Sequence, residues 1–102
     1  MFDQVISNGL LANPSTKILQ MGHIGINQGK IAAISGEPLS GKSTFDAKGQ
    51  VVSPGFIDIH SHVSGSDYSG ELSARQGITT TIGGNCGGSP FDLGVFFAEQ
   101  NE

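Results

Sequence analysis

The 102-residue chain is the size of one small domain, with a hydrophobic fraction of 36% and 16 glycines, a balance that suits short strands and tight loops. Five Lys and Arg against nine Asp and Glu leave a net charge of −4 with no basic run, which excludes nucleic acid as a partner. The start lacks a basic segment followed by a long apolar stretch, no apolar run approaches a membrane span, and the single cysteine, Cys86, cannot form an intrachain disulfide. These features predict a soluble, cytoplasmic protein with no membrane partner and a thiol free for other chemistry.

From Asp3 to Ser35, β-like runs at Gln4 to Ser7, Lys17 to Ile26 and Lys30 to Ser35 are divided by Asn8-Gly9, Asn13-Pro14 and Asn27-Gln28-Gly29. The pattern predicts a small antiparallel sheet. Ile24, Ile26, Ile31 and Ile34 lie on strands too short to stand alone, so a further layer is needed to cover them. Residues Asp46 to Gln50 read as a hairpin turn leading into Val51-Val52. Ser53-Pro54-Gly55 then breaks the pattern and divides the chain into 1–52 and 53–102.

Phe56 to His62 reads as a buried strand, residues 64–70 as a polar loop, and Glu71 to Gln76 as a short helix stopped by Gly77 in the C-cap role. A second strand is expected at Ile78 to Ile82. Strand, helix and strand in this order form the βαβ unit of a parallel sheet. Ser89-Pro90-Phe91-Asp92 resembles a helix start, with Ser89 as cap, Pro90 at the first helical position and Asp92 at the positive end. Leu93, Phe96 and Phe97 follow at helical spacing, and the three phenylalanines are assigned to packing. That helix is still running at Glu102, so a chain truncated within a larger fold is expected.

The strongest chemical signal is Pro54-Gly55-Phe56-Ile57-Asp58-Ile59-His60-Ser61-His62. Strand alternation sends Asp58, His60 and His62 to one face and Ile57 and Ile59 to the other, with the two histidines about 6.6 to 6.8 Å apart at Cα. Two imidazoles so placed can converge on one metal ion; the plainer reading, two histidines that merely end a strand, fits the nine-residue context less well. Cys86 lies in Gly83-Gly84-Asn85-Cys86-Gly87-Gly88, directly after the second strand. Adjacent parallel strands would bring it beside His60 and His62, where a thiolate is a good zinc ligand at about 2.3 Å. Alone, Cys86 would be read as small buried filler; the histidines reverse that preference. Asp58, two residues before His60, is placed to orient ligands rather than to reach substrate.

Gly36-Glu37-Pro38-Leu39-Ser40-Gly41-Lys42-Ser43 satisfies the phosphate-binding loop pattern, but that mechanism needs a helix to begin at the Lys-Ser end. The residues that follow read as an extended segment and a turn, so a loop that binds no nucleotide is expected. His23, between Gly22 and Ile24, is assigned a structural place on the sheet surface or edge.

The run from Asn8-Gly9 through Gly29-Lys30-Ile31-Ala32-Ala33-Ile34, then Asp46-Ala47-Lys48-Gly49 and Pro54 to His62, resembles the N-terminus of the amidohydrolase superfamily. Within it, Gly77-Ile78-Thr79-Thr80-Thr81 and Gly84-Asn85-Cys86-Gly87 are similar to the D-aminoacylase branch, the N-acyl-D-amino-acid deacylases. The resemblance implies a mixed fold: 1–52 as the N-terminal portion of a small β-sandwich, and 53–102 as the first βαβ unit of a TIM-type (β/α)8 barrel. It implies one or two zinc ions, with His60 and His62 matching the first-strand ligands and Cys86 the cysteine that stands where relatives use a carboxylated lysine. The implied reaction is hydrolysis of the amide of an N-acyl amino acid by metal-activated water.

The family's further histidine ligands and its aspartate general base come from later strands, so the implied partner is the remainder of the chain's own barrel. The 102 residues alone are expected to bind zinc without turnover. Many members of the branch carry acidic residues after the second histidine, where Val63-Ser64-Gly65-Ser66 stands here; substrate preference is thereby left open. Other amidohydrolases, such as cyclic amidases and deaminases, remain alternatives, as does a small binding module with a structural metal site.

Overall fold

The computed structural model describes residues 1–62, 67–88 and 92–99. The expected departure at Val63 to Ser66 and the helix start at Ser89, Pro90 and Phe91 lie outside the described residues. Contacts divide the chain into two units, residues 1–54 and residues 55 onward.

The first unit is a single mixed sheet. Its spine is β1 (Phe2–Asn13), which pairs antiparallel with β2 (Ile18–Asn27); β2 pairs antiparallel with β3 (Lys30–Ser35). The turn between β2 and β3 has Gln28 at φ 50° and Gly29 at φ 72°, the two left-handed residues that a tight hairpin with right-handed strand twist requires. Asn13 Oδ1 accepts the Ser15 N–H at 3.0 Å to start the turn between β1 and β2, as short amide side chains do in such turns.

Two sequence expectations are corrected in this unit. Asn8-Gly9 is not a turn: β1 runs straight through it, and Ser7 and Asn8 together oppose His23 between the pairs Ile6↔Ile24 and Gly9↔Gly22. Asn8, at φ 54°, is the extra residue of a β-bulge, a conformation its short side chain tolerates. The bulge has a packing consequence, since one inserted residue inverts the alternation and brings Leu11 onto the side of Ile6. Both line the same apolar concavity.

The second correction concerns residues 41–52. β4 (Gly41–Asp46) is a strand that sequence reading left as loop and extended segment, and Asp46 to Gln50 is not a hairpin turn. β4 and then β5 (Val51–Val52) both pair with β1 in parallel on the same edge, so the chain keeps its direction and the sheet is mixed rather than antiparallel. Residues 47–50 bulge outward opposite Asn8, with Lys48 at φ 50° and Gly49 at φ 79°. The two bulges are stitched together: Gly49 N–H donates to Asn8 O at 2.7 Å, Ala47 N–H to Ser7 O at 2.8 Å, and Asn8 Nδ2 to Asp46 Oδ1 at 3.0 Å.

Lys42 sits in β4 and donates to Asp3 Oδ1 at 2.7 Å, and no helix begins at it, so the structural requirement for phosphate binding is not met. His23 lies on β2, inside the sheet rather than at its edge, and its Nδ1 accepts the Asn8 N–H at 3.4 Å. The small core is Val5, Leu11 and Ala47. One face carries a concavity of about 370 Å³ lined by Ile6, Leu11, Ile24, Ile26, Ile31 and Ile34; nothing within the first unit covers it.

The second unit holds β6 (Phe56–Asp58), α1 (Asp67–Arg75), β7 (Ile78–Thr81) and α2 (Leu93–Glu99). β6 and β7 are adjacent and parallel, the βαβ order read from the sequence. The helix starts earlier than expected, within the segment read as a polar loop, and Arg75 pairs with Glu71 one turn before it at 2.6 Å. Gly77, at φ 80°, ends it as expected. For α2 the cap is Asp92, whose Oδ1 accepts the Val95 N–H at 3.1 Å, the N-cap bond to the third helical residue. Phe56 and Ile57 are exposed rather than buried, in keeping with a two-stranded pair, which needs further strands or layers to bury its faces.

Candidate metal centre

The centre is built at the C-terminal ends of β6 and β7. Ile78-Thr79-Thr80-Thr81 is a β-branched run suited to a strand, and Gly55 lets the start of β6 approach the Thr79 side chain too closely for a Cβ. Regular strand geometry stops at Asp58, short of the His62 end that the sequence predicted. Pairing nevertheless continues in altered form: Ile82 N–H donates to Asp58 O at 2.8 Å and Ser61 N–H to Ile82 O at 2.9 Å.

The turn between those bonds is fixed by Asp58, whose Oδ1 accepts the His60 N–H at 3.1 Å. This side-chain bond to the backbone two residues on is what draws the chain out of strand conformation. Asp58 thus acts on the backbone of His60 and not on its imidazole. Beyond the turn, His60 and His62 hold their rings 5.6 Å apart between centroids at an interplanar angle of 41°.

Cys86 enters from the loop after β7. Gly84 at φ 83° and Gly87 at φ 77° flank it, positions where a side chain would strain the backbone, and Gly87 N–H closes the turn on Gly84 O at 3.0 Å. Cys86 Sγ lies 3.0 Å from His60 Nε2. One donor atom each from His60, His62 and Cys86 falls within 4.8 Å of the others, and all three residues are exposed. The three residues that alternation and strand adjacency singled out are therefore together, although a bent turn, not a regular strand, assembles them.

Asn85 is the residue that sequence reading passed over. Its Nδ2 donates to Ile59 O at 3.2 Å, bridging the cysteine loop to the segment between Asp58 and His60. An amide residue amid four glycines was the available signal, since a loop that flexible needs a side-chain anchor to hold one shape.

Residues 43–99 match the sequence profile of the Amidohydrolase family. The chain belongs to the Amidohydrolase family. An allantoinase from Bacillus licheniformis is 38% identical to it over 96 aligned positions, covering 79% of this chain and 20% of the relative. Among solved structures, an N-acyl-D-glutamate deacylase from Bordetella bronchiseptica, in complex with zinc and a phosphonate inhibitor that mimics the tetrahedral intermediate, superposes with a TM-score of 0.70 at 33% identity. That match covers 84% of this chain and 19% of the deacylase.

An L-hydantoinase (dihydropyrimidinase) from Arthrobacter aurescens gives a TM-score of 0.68 at 32% identity, over 81% of this chain and 20% of the hydantoinase. The chain thus spans about a fifth of the length of these amidohydrolases. Its mixed fold corresponds to their N-terminal region, part of the β-sandwich domain and the start of the barrel.

Proposed function

We propose that His60, His62 and Cys86 are metal ligands of an amidohydrolase acting on non-peptide C–N bonds, and that the whole protein deacylates N-acyl-D-amino acids. The observation that carries this reading is the thiol of Cys86 beside His60 Nε2 at 3.0 Å, with His62 within 4.8 Å of both. Donor atoms around a tetrahedral zinc with bonds of about 2.0 to 2.3 Å lie roughly 3.3 to 3.8 Å apart. The observed spacings bracket that range, so two imidazoles and a thiolate fit the ion with small side-chain adjustment.

When bound, such an ion supplies Lewis acidity towards an amide carbonyl and acidifies water. The chain's own part is orientation. Asp58 fixes the turn that carries His60, and the pairing of Ser61 with Ile82 keeps His62 and the start of the cysteine loop in register. Among the described residues no carboxylate joins the cluster, and Asp58 Oδ1 is occupied by the His60 N–H. The general base, a role typically worth about 10²- to 10⁴-fold, is expected from outside this set.

The deacylase reading draws support from the zinc-bound deacylase at 33% identity. A second reading, hydrolysis of a cyclic amide, is favoured by the allantoinase at 38% identity. The test is to titrate the purified chain with zinc and assay it on N-acetyl-D-amino acids and on cyclic amides. Zinc binding without turnover is expected. Turnover that disappears in His60→Ala would show that these residues suffice for catalysis, contrary to this reading. In a protein supplying the remaining ligands, a higher kcat/KM for cyclic amides than for N-acetyl-D-amino acids would replace the deacylase assignment.

A further inference from the structure

We infer that Asn85 is a positioning residue for the metal centre, holding the Cys86 thiol against the two histidines by anchoring the cysteine loop to Ile59. The inference rests on the metal reading above and concerns a residue that touches no metal.

The loop has little else to define it. Residues 83–88 contain four glycines, and each brings more backbone freedom than any other residue type. Gly84 and Gly87 occupy left-handed φ, and the bond between them closes a turn inside the loop without tying it to anything outside. Among the described residues, the side-chain bonds from this loop to the histidine segment are Cys86 to His60 and Asn85 to Ile59. The first is the contact to be explained. The second is the restraint.

Its placement is apt. Ile59 lies between Asp58, which fixes the turn, and His60, which offers Nε2 to the thiol. The Asn85 amide thus grips the same turn that Asp58 shapes, and Cys86 follows it by one residue. The position of Sγ relative to Nε2 is set through two short lever arms from one peptide. Without the amide bond, the glycines let the thiol sample positions in which only the histidines can reach an ion.

Cobalt(II) in place of zinc reads this directly, because thiolate coordination gives a charge-transfer band beside the ligand-field bands, and the ratio of its intensity to the cobalt bound, counted by equilibrium dialysis, reads thiolate ligation per ion. In the unsubstituted chain both kinds of band should appear. In Asn85→Ala, affinity should fall about tenfold, the lower end of the range for residues supporting metal ligands, and the charge-transfer intensity per bound ion should fall as well. Asn85→Gln keeps the donor and should recover part of both. Glu71→Ala, which removes the ion pair of α1, serves as the structural control and should leave the charge-transfer intensity per bound ion unchanged.

The outcomes separate the two proposals. No thiolate band in the unsubstituted chain overturns the metal reading, and this inference with it. A normal band with Asn85→Ala indistinguishable in affinity and ratio overturns the role of Asn85 alone. Weaker binding at an unchanged ratio would mean that Asn85 acts only on general stability, which also overturns it. The ratio counts bound ions only, so a partly unfolded variant population does not blur the result.

Discussion

Replacing Cys86 with alanine gives the sharpest test of the donor set. Structural zinc sites with four ligands contribute about 10 to 16 kcal/mol at neutral pH, or roughly 2.5 to 4 kcal/mol per ligand if shared equally. At about 1.4 kcal/mol per decade, losing one ligand should weaken zinc binding by roughly 10²- to 10³-fold. The structure supports treating Cys86 as one full share, because its Sγ is 3.0 Å from His60 Nε2 and exposed to an incoming ion. Competition against a chelating dye measures the change, with His60→Ala as the positive comparison and His23→Ala as the negative one, since His23 is bonded to Asn8 in the sheet. Each ligand must shed its proton to bind, so zinc affinity should also decline on acidification. Zinc affinity in Cys86→Ala within about threefold of the parent, less than 1 kcal/mol, would show that the thiol is not a ligand.

Three other expectations follow from the fold. Asn8 Nδ2 and the Lys48 N–H hold the Asp46 carboxyl below its ordinary value of 3.8, and the Lys42 ammonium, with the Gln28 N–H, does the same for Asp3. Depressed folded-state values stabilise the sheet above the ordinary value, and that contribution is lost as pH falls through the folded ones. Thermal melting of the parent should therefore drop below pH 4 more than that of Asp46→Asn, and identical pH profiles would contradict the argument. Gly55→Ala should destabilise the second unit by about 1 to 3 kcal/mol as its Cβ meets Thr79; an unchanged denaturation midpoint would show that Thr79 yields freely. ATP with magnesium should not bind, because Lys42 lies in β4 bonded to Asp3. Micromolar affinity abolished by Lys42→Ala would overturn that expectation.

What the sequence made legible was local and chemical. β3 was read residue for residue, because Lys30 to Ser35 is bounded by a turn of unmistakable composition. Gly77 was read as a stop because no other residue type takes its φ so easily. The convergence of His60, His62 and Cys86 followed from alternation plus strand adjacency, although the real path to it runs through the Asp58 turn. That turn was invisible, since an Asp two residues before a His is equally consistent with a straight strand.

The errors in the first unit have one physical root. Asn-Gly is the strongest short hairpin signal, yet the same tolerance for left-handed φ that makes it a turn makes Asn8 a bulge. Which of the two occurs depends on β4 and β5, whose pairing with β1 is nonlocal and leaves little mark in Gly41-Lys42-Ser43-Thr44-Phe45-Asp46. Parallel edge strands of mixed polarity lack the periodicity that local reading depends on.

The position of β1 as spine also bears on the order of events during synthesis. β1 is synthesised before the strands it pairs with, and its hairpin partner β2 follows at once. The edge that takes β4 and β5 waits until residue 52 has been made, because those partners lie 39 and 41 positions further along. At about 5 to 20 residues per second that interval is roughly 2 to 8 s, long compared with the ~1 to 10 μs in which a hairpin forms. For those seconds the nascent chain carries an open strand edge of the kind that recruits other chains. β4 and β5 close that edge once they are made, and the bonds from Ala47 and Gly49 to Ser7 and Asn8 lock the bulge at the same moment.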